Sequence, residues 1–422
     1  MNQDFKVSYN ALRQIYAEDG YSNIAINEAL ENERNCSPGF VRYVVKEVLR
    51  RSFALDYKIA SLSKNGMRGM KSKTKVLLRL GIFLLDEVDS IPDAVCVNEI
   101  VNLAAAVNRP NKGFINGVLR AYLRQDKNIL LPSGNDRKSL SIRYSCHEKL
   151  VQLLEEQYGG EAIRILEAYN QPALVALRNN PMKQPRSELL MKLEELGVDA
   201  EASSESANGI LVHSGSIIQN DLFRNGAYSV QGISSQLAIA AAAPISGECV
   251  LDMCAAPGGK TTGMAELMGD IGSIEAWDIH PHRVELIMKN ASRLGLQCIH
   301  GEINDATKLD ASKCEQYDLV VADVPCSGLG TIPVKPEIKL HWDNSGYREL
   351  TQIQQQILQN AWRYVKPGGR VMYSTCTINR MENEEVIDSF LASEPSATLV
   401  EKNLILPYNK TGFFYTILKK SK

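Results

Sequence analysis

Two cysteines follow two predicted strands, in sequence surroundings that could support nucleophilic chemistry. Cys326 lies in Asp323-Val-Pro-Cys-Ser-Gly-Leu-Gly330, and Cys376 lies in Ser374-Thr-Cys-Thr377. Neighbouring strands of a sheet are about 5 Å apart, so both thiols could face one pocket beside the Asp323 carboxylate. A cysteine is also commonly a small buried apolar side chain, and that interpretation competes for each cysteine taken alone. Two thiols at two such strand ends together favour chemistry.

A glycine-rich turn, Asp252-Met-Cys-Ala-Ala-Pro-Gly-Gly-Lys260, follows another predicted strand and precedes a predicted helix. Glycines at this point let the backbone approach a nucleotide-like ligand at the helix N-terminus. The turn is not a P-loop, which requires a glycine where Cys254 stands, and the dinucleotide motif G-x-G-x-x-G is absent. The alternative is a purely structural strand–helix turn.

Two carboxylates follow the next two predicted strands. Asp278 stands where a carboxylate would accept hydrogen bonds from ribose hydroxyls. Asp305 follows the third strand and could receive an adenine amine, although an aspartate there is often a turn residue. Both residues would extend the site that begins at the glycine-rich turn.

These residues occur in a region where strand, turn and helix alternate. The predicted strands are Cys249–Asp252, Ser273–Asp278, Tyr317–Asp323 and Gly369–Ser374. Such alternation predicts an α/β, doubly wound, mainly parallel sheet, whose ligands bind beyond the carboxyl ends of the strands. We therefore predict a Rossmann-like catalytic domain over residues 226–422.

The preceding 225 residues show other patterns. Residues 1–130 have apolar positions spaced by three and four, which predicts an all-α bundle. Residues 131–140 have the composition of a linker. Residues 141–225 mix both periods, with an extended Leu174–Asn179, a helix bearing four leucines and a strand Gly209–His213, so we predict a small α+β module. A chain of 422 residues has room for three such domains.

The net charge of −2 conceals an uneven distribution. Residues 1–140 carry a net +6 and the remainder a net −8. The basic residues concentrate in two clusters, Lys58, Lys64, Arg68, Lys71, Lys73, Lys75 and Arg79, then Arg109, Lys112, Arg120, Arg124 and Lys127. Clustered positive charge suits a polyanion, because each neutralised phosphate releases condensed counterions. A solvated helical face is the alternative.

Several classes of protein are disfavoured. The longest apolar run is too short for a membrane span, and the start, MNQDFKVSYN, does not resemble a signal peptide. The nine cysteines are scattered and never spaced as C-x-x-C, which argues against a disulfide scaffold and a zinc ribbon. The pair His280-x-His282 lacks partners at ligand spacing, so we predict no metal site. We expect a reduced, cytoplasmic protein.

Several motifs together resemble the cytosine-5 RNA methyltransferases that use S-adenosylmethionine. The motifs are MCAAPGGKT, DVPCSGLGT, YSTCT, Arg293-Leu-Gly295, ENEE at residues 382–385 and Gly412-Phe-Phe-Tyr415. Upstream, Lys112-Gly-Phe-Ile-Asn-Gly-Val-Leu-Arg120 is similar to the signature of a NusB-like RNA-binding helical domain. Arg143–His147 and Leu177–Asn180 are similar to the segment that joins the two domains. This layout resembles the bacterial small-subunit ribosomal RNA methyltransferase B group.

The resemblance implies a role for each candidate residue. Cys376 would be the nucleophile that adds to carbon 6 of cytosine, and Cys326 would assist release of the methylated product. Asp323 would act at ring nitrogen 3, and Lys260 would lie near substrate or cofactor. The DNA cytosine methyltransferases use the cysteine of a Pro-Cys pair, so Cys326 remains the alternative nucleophile.

The resemblance also implies the cofactor and the partners. S-adenosylmethionine would be the methyl donor, held by Cys254, Ala255, Ala256, Pro257, Gly258, Gly259, Lys260, Asp278, Arg283, Asp305 and Asp323. The partner would be small-subunit (16S) ribosomal RNA, with no metal, no membrane and no protein partner, and the protein would be a monomer.

Two positions depart from the pattern of this group. Gly232 follows Gln231, and Thr411 precedes Gly-Phe-Phe, where the group usually has aspartate. Both bear on substrate positioning rather than on reaction type. A transfer RNA cytosine-5 methyltransferase is the alternative within the enzyme class, and a non-catalytic RNA-binding ribosome-assembly factor is the alternative outside it. The NusB-like domain favours ribosomal RNA, because it adds a basic surface to an acidic catalytic domain.

Overall fold

The computed structural model describes residues 2–18, 20–33, 35–342 and 346–422, except the side chain of Glu18. The chain forms two compact units. The first contains the described residues up to Gln171 together with Ile332–Trp342, and the second contains Pro172–Thr331 and Gly346–Lys422.

The first unit is helical throughout its described part. Its α-helices are α1 (Gln3–Glu18), α2 (Ser22–Glu31), α3 (Pro38–Arg50), α4 (Ser52–Leu62), α5 (Ser72–Glu87), α6 (Asp93–Val107), α7 (Lys112–Arg124), α8 (Arg137–Tyr144), α9 (Glu148–Tyr158) and α10 (Ala162–Tyr169). The predicted all-α N-terminal bundle is confirmed. Two of these helices start at a proline: Pro38 is the first residue of α3, and Pro92 is the N-cap of α6.

Helix α5 is the central helix of this bundle. Nearly every residue from Val76 to Leu85 is buried, since α5 packs against α1, α3, α4, α6 and α7. Helices α5 and α7 approach closely at Gly81, where a Cβ atom would lie 2.9 Å from Cδ2 of Leu119. A larger residue at position 81 would push these helices apart, so the sequence uses glycine despite its low helix propensity.

A segment far along the chain completes the first unit. Residues 332–342 include a 3-10 helix, Pro336–Leu340, and Leu340 joins the core of the bundle. Three buried polar side chains tie the segment to the helices: Arg50 donates to the carbonyl of Pro333 (3.1 Å), Glu337 accepts from the amide of Ser22 (2.8 Å), and Lys339 donates to the carbonyl of Tyr144 (2.7 Å). Buried charged groups of this kind need such partners to offset their desolvation.

The second unit begins with a four-stranded antiparallel sheet in the order β2-β3-β1-β4. Its elements are β1 (Val175–Asn179), α11 (Arg186–Glu195), β2 (Asp199–Ala202), β3 (Gly209–Ser214), α12 (Asp221–Arg224) and β4 (Tyr228–Val230). The predicted strands at 174–179 and 209–213 and the helix between them are confirmed. Helices α8 to α10 belong to the first unit, while this sheet belongs to the second. The boundaries at 130, 140 and 225 stay predictions.

A seven-stranded sheet, in the order β10-β11-β9-β8-β5-β6-β7, follows in the same unit. Its elements are α13 (Ile233–Ala242), β5 (Cys249–Asp252), α14 (Gly259–Leu267), β6 (Ser273–Asp278), α15 (Pro281–Leu294), β7 (Ile299–Ile303), β8 (Tyr317–Asp323), α16 (Tyr347–Tyr364), β9 (Val365–Thr375), α17 (Glu384–Ser393), β10 (Ala397–Ile405) and β11 (Phe413–Lys420). Strands β5 to β9 pair in parallel, and β11 runs antiparallel to β9 and β10.

Hydrophobic clusters cover both faces of this sheet. Alternate residues of β8 contribute to different clusters, with Leu319 and Val321 in one and Val320 and Ala322 in the other. Such two-sided burial is characteristic of parallel sheets flanked by helices. The predicted Rossmann-like, mainly parallel sheet is confirmed, and it places the carboxyl ends of β5 to β9 along one edge.

Among the described residues, none of the helices has both the length and the apolar character needed to cross a membrane.

Candidate active site

The glycine-rich turn after β5 is anchored to two neighbouring strands. The amide of Met253 donates to the carbonyl of Val321 in β8 (2.9 Å), and the amide of Ala255 donates to the carbonyl of Trp277 in β6 (2.8 Å). Gly258 is the N-cap of α14 with φ +97°, a conformation that side-chain-bearing residues rarely adopt. This turn therefore presents the first turn of α14 to a cleft.

The cleft at the turn has a volume of about 230 Å³. It is lined by Val230, Gln231, Gly232, Ser235, Asp252, Cys254, Ala255, Ala256, Pro257, Gly259, Lys260 and Asp323. Seven of the residues predicted to hold a cofactor are thus brought together: Cys254 to Pro257, Gly259, Lys260 and Asp323. The predicted residues Gly258, Asp278, Arg283 and Asp305 are not among the residues that line it.

Those remaining carboxylates lie at the same edge of the sheet. Asp278 ends β6, and its Oδ2 lies 3.9 Å from the Arg283 guanidinium. Asp305 follows β7 and accepts hydrogen bonds from the amide and hydroxyl of Thr307, which lower its pKa.

Burial, followed by the charges of Asp252, Asp323, Asp278 and Asp305, raises the pKa of Cys254 well above its ordinary value. Negative charge from these strand ends therefore surrounds the Cys254 thiol, which stays protonated.

The two predicted thiols are in contact. The Sγ atoms of Cys326 and Cys376 are 3.1 Å apart, and the amide of Cys376 donates to the Cys326 sulfur at 3.3 Å. The hydrogen bond with Cys376, reinforced by burial, raises the pKa of Cys326 well above its ordinary value. Cys326 is therefore a protonated thiol near neutral pH and can donate its proton to the Cys376 sulfur.

A buried glutamate braces the loop that carries Cys326. Glu382 is fully buried and accepts hydrogen bonds from the amide (2.8 Å) and hydroxyl (2.5 Å) of Ser327. The Ser327 hydroxyl also lies 2.8 Å from that of Thr377, so the loops of both thiols are joined. The ENEE motif contains Glu382, but the sequence alone assigned it no position in the site.

Asp323 connects the cleft to the thiol strands. Its Oδ2 accepts a hydrogen bond from Lys260 Nζ at 2.6 Å, and its Oδ1 accepts one from the hydroxyl of Ser374 at 2.7 Å. Lys260 Nζ also lies 4.8 Å from the centre of the Phe413 ring. A lysine so placed is held by charge and by the face of an aromatic ring, and its ammonium is fixed in direction.

Asp252 is a site residue that the sequence analysis did not single out. It is 1% exposed, accepts a hydrogen bond from Thr261 (2.7 Å), and its Oδ1 has no hydrogen-bond partner among the described residues. Burial raises the pKa of Asp252 to about 7, although the Thr261 hydrogen bond opposes the shift. Its position at the first residue of the glycine-rich motif was the available signal.

Gly232 and Thr411, which we expected from the sequence to differ from the related group, are neighbours in space. A Cβ atom at Gly232 would lie 3.3 Å from Oγ1 of Thr411. The carbonyl of Thr411 accepts a hydrogen bond from the hydroxyl of Ser234 (2.6 Å). Since Gly232 lines the cleft, Thr411 lies directly behind one part of its wall.

The first unit has a basic cleft of its own. It has a volume of about 270 Å³ and is lined by Ser63, Asn65, Gly66, Arg68, Gly69, Met70, Lys71, Thr74, Asn111 and Phe114. It thus joins the loop before α5, in the first basic cluster, to the start of α7, in the second. The ring of Phe114 is 41% exposed. We call this feature the basic cleft.

Other members of the basic clusters have acidic partners instead. Lys58 pairs with Asp86 at 2.8 Å, and Arg79 pairs with Asp56 at 2.6 Å. The Lys58 and Arg79 side chains are only 18% and 11% exposed, so they form neither the predicted polyanion surface nor the alternative solvated helical face. Within the described residues, no group of three or more histidine, cysteine or carboxylate side chains is arranged to hold a metal ion.

Family models match all three regions of the chain. The model of the 16S rRNA methyltransferase RsmB/F matches residues 239–414, and the NusB family model matches residues 6–124. The ferredoxin-like domain model of RsmF/B-like methyltransferases matches residues 148–219. Fold and site together define a methyltransferase with a Rossmann-like catalytic domain.

The curated relatives cover most of the chain. A probable ribosomal RNA small subunit methyltransferase B of Bacillus subtilis is 35% identical, covering 92% of this chain and 88% of the relative. One from Synechocystis is 34% identical over 99% of both chains. A solved methyltransferase homolog from Pyrococcus horikoshii has a TM-score of 0.61 at 26% identity, covering 68% of this chain and 99% of that one. The chain belongs to the ribosomal RNA small subunit methyltransferase B family, and it is an enzyme.

Proposed function

We propose that this enzyme transfers a methyl group from S-adenosylmethionine to carbon 5 of a cytosine in 16S ribosomal RNA. The observation that carries the proposal is the contact between the Cys326 and Cys376 thiols, 3.1 Å apart, at the strand edge that also bears Asp323 and the glycine-rich turn. The family model and the names of the relatives support small-subunit ribosomal RNA as the substrate.

The cleft has the chemistry needed for S-adenosylmethionine. The unsatisfied Oδ1 of buried Asp252 is an acceptor for an ammonium group, and the glycine turn leaves the start of α14 open to a ligand. We assign the ribose and adenine to the side of Asp278, Arg283 and Asp305. When bound, the cofactor supplies an electrophilic methyl group. These residues would hold it so that the methyl group faces the substrate.

The two thiols divide the covalent chemistry. Carbon 5 of cytosine is too electron-poor to attack a methyl donor, but a thiolate that adds to carbon 6 converts the ring into a nucleophilic enamine. We assign this attack to Cys376, as the resemblance to the cytosine-5 RNA methyltransferases implies, and the raised pKa of the Cys326 thiol supports the assignment. After methyl transfer, water takes the proton from carbon 5, the electron pair of that bond re-forms the double bond to carbon 6, and Cys376 leaves as a thiolate. Cys326 assists that release by donating a hydrogen bond to the departing sulfur.

Asp323 and Lys260 stabilise the negative charge that develops on the cytosine ring. Addition at carbon 6 places negative charge on ring nitrogen 3, and a hydrogen-bond donor there lowers the barrier. We place the Asp323 carboxyl at nitrogen 3. Since both Asp323 oxygens accept hydrogen bonds, the proton offered to nitrogen 3 comes from the Lys260 ammonium, 2.6 Å from Asp323 Oδ2, and reaches the ring through that carboxyl. The target cytosine must leave its stack, because carbons 5 and 6 are approached from the face of the ring.

The basic cleft suits the same RNA partner. Arg68 and Lys71 provide charge for phosphates, and the exposed Phe114 ring provides a surface on which a base can stack. We therefore propose that residues 1–130 form an RNA-binding domain. We also propose that the enzyme works in the cytoplasm as a monomer, without a metal ion.

The deciding experiment is bisulfite sequencing of ribosomal and transfer RNA from cells with and without the gene. We expect loss of one 5-methylcytosine from 16S RNA, restored by the wild-type gene and not by Cys376→Ala. An unchanged ribosomal map with an altered transfer RNA would favour a transfer RNA methyltransferase instead. Binding of labelled S-adenosylmethionine without methyl transfer to any RNA would favour a non-catalytic assembly factor.

A further inference from the structure

One arginine links the small antiparallel sheet to the cleft at the glycine-rich turn. Arg178 lies on β1, is 4% exposed, and crosses to the first two turns of α14. A Cβ atom at Gly263 of α14 would lie 2.8 Å from Nη1 of Arg178, so the helix passes against the guanidinium itself. The sequence alone assigned Arg178 no role in the site.

The guanidinium uses all of its five N–H donors. Two of them form a fork with the carboxylate of Glu266, from Nε to Oε2 at 2.8 Å and from Nη2 to Oε1 at 2.9 Å. The other three reach the hydroxyl of Thr262 (3.0 Å), the carbonyl of Gly259 (2.7 Å) and Oε1 of Gln231 (2.5 Å). An arginine has five such donors and no acceptor, so its hydrogen-bonding capacity is fully used.

Two of these acceptors belong to residues that line the cleft. Gly259 precedes Lys260, whose ammonium contacts Asp323, so a displaced Gly259 would carry Lys260 with it. At Gln231, the guanidinium can only donate, so it must face the amide oxygen. The amide NH₂ group is therefore turned the other way, to the hydroxyl of Ser235 at 3.2 Å, and Ser235 also lines the cleft.

We propose that Arg178 is a positioning residue for the methyl donor: it fixes the first turn of α14 and the orientation of the Gln231 amide, and thereby the shape of the cleft. A lysine at this position would keep the charge but lose the planar fork that reaches five acceptors at once. The inference rests on the proposed function, because it takes the cleft as the site of S-adenosylmethionine.

The test measures binding of labelled S-adenosylmethionine to the full-length protein carrying Arg178→Lys or, as a milder change, Glu266→Gln. We expect the Kd of Arg178→Lys to rise at least tenfold and kcat/KM to fall up to about 100-fold, as small misplacements of a site can cause. Glu266→Gln keeps the size of the side chain and should shift the Kd in the same direction by less. The KM for RNA should stay within twofold.

The matched control is Arg186→Lys. Arg186 lies in the same small module and donates to three carbonyls, of Ser203, Ser206 and Gly209, none of which lines the cleft. The Arg186→Lys variant should have a lower thermal midpoint than the wild type but the same Kd for S-adenosylmethionine. The inference is overturned if Arg178→Lys binds S-adenosylmethionine as tightly as the wild type, or if Arg186→Lys weakens binding equally. A wild-type protein that does not bind the methyl donor refutes the proposed function instead.

Discussion

The sulfur atoms of Cys326 and Cys376 lie 3.1 Å apart although 50 residues separate them in the sequence. The pairing of β8 with β9 explains this contact, since Asp323 and Ser374 lie opposite each other in the sheet. Cys326 follows Asp323 by three positions, and Cys376 follows Ser374 by two. The hydrogen bond with Cys376, together with burial, raises the pKa of the Cys326 thiol, and either sulfur can be the donor in this contact.

Replacing the two cysteines separately should give opposite results. We expect Cys376→Ala to form no covalent complex with RNA, since it lacks the attacking sulfur. Cys326→Ala should accumulate a covalent complex, because release of the product is impaired. Both are measured on denaturing gels with labelled 16S RNA and S-adenosylmethionine, and the double alanine variant provides the blank. An adduct with Cys376→Ala and none with Cys326→Ala would assign the attack to Cys326.

The buried Asp252 should make stability depend on pH. Its pKa in the folded state is about 7, whereas the pKa of an unfolded aspartate is roughly 3.9. Between these two pH values the folded state therefore binds one proton more than the unfolded state. The contribution of Asp252 is therefore fully present below about pH 4 and is lost as the pH rises through about 7. Asp252→Asn removes this titration.

We expect the thermal midpoint of Asp252→Asn, relative to that of the wild type, to increase as the pH rises from 5 to 8. A difference that is constant across this range would contradict the raised pKa. The exposed Asp221, 84% accessible at its side chain, offers the matched control, and Asp221→Asn should show no such trend.

Removing charge from the basic cleft should weaken RNA binding without slowing the chemistry. Arg68→Gln combined with Lys71→Gln should raise the KM for 16S RNA roughly tenfold, and should reduce the slope of log K against log salt by about 0.7 for each phosphate that the protein no longer neutralises. The kcat should be unchanged. Lys138→Gln, an exposed lysine outside the cleft, is the control. An equal rise in KM for the control would show that only overall charge matters.

The hydrogen bonds from Ser327 to buried Glu382, beside Cys326, should contribute to the stability of the fold. Glu382→Ala leaves the amide and hydroxyl of Ser327 without their buried acceptor, and such losses typically cost about 1–3 kcal/mol for each group. We expect a clear drop in the thermal midpoint. Glu385→Ala, on the exposed side of the same motif, should leave it nearly unchanged. If both variants unfold at the wild-type temperature, the network contributes little.

The sequence located most of the site because parallel strands end at one edge of a sheet. Knowing only that Asp252, Asp278, Asp323 and Ser374 end strands was enough to bring the glycine-rich turn and both thiols together. Arg178 could not be found this way. Its partners lie 53 to 88 residues away, on elements whose relative placement depends on how two sheets pack, and local patterns contain no such information.

Charge clusters show the same limitation. The sequence places Lys58, Arg68, Lys71 and Arg79 in one basic segment, but only tertiary structure shows that Lys58 and Arg79 face aspartates while Arg68 and Lys71 line a cleft. Pairing across helices decides which charges remain available to a ligand, since exposed groups retain more of their field for a partner than paired ones do.

The return of residues 332–342 to the first unit sets an order of events during protein synthesis. Arg50 and Ser22 emerge early, but their acceptors, Pro333 and Glu337, are translated about 160 residues after α10 ends, which takes on the order of 10–30 s at typical rates of elongation. For that interval the nascent helical bundle exists without its last piece. A growing chain in this state would be an expected client for chaperones, and the bundle can reach its final form only when most of the catalytic domain has already left the ribosome.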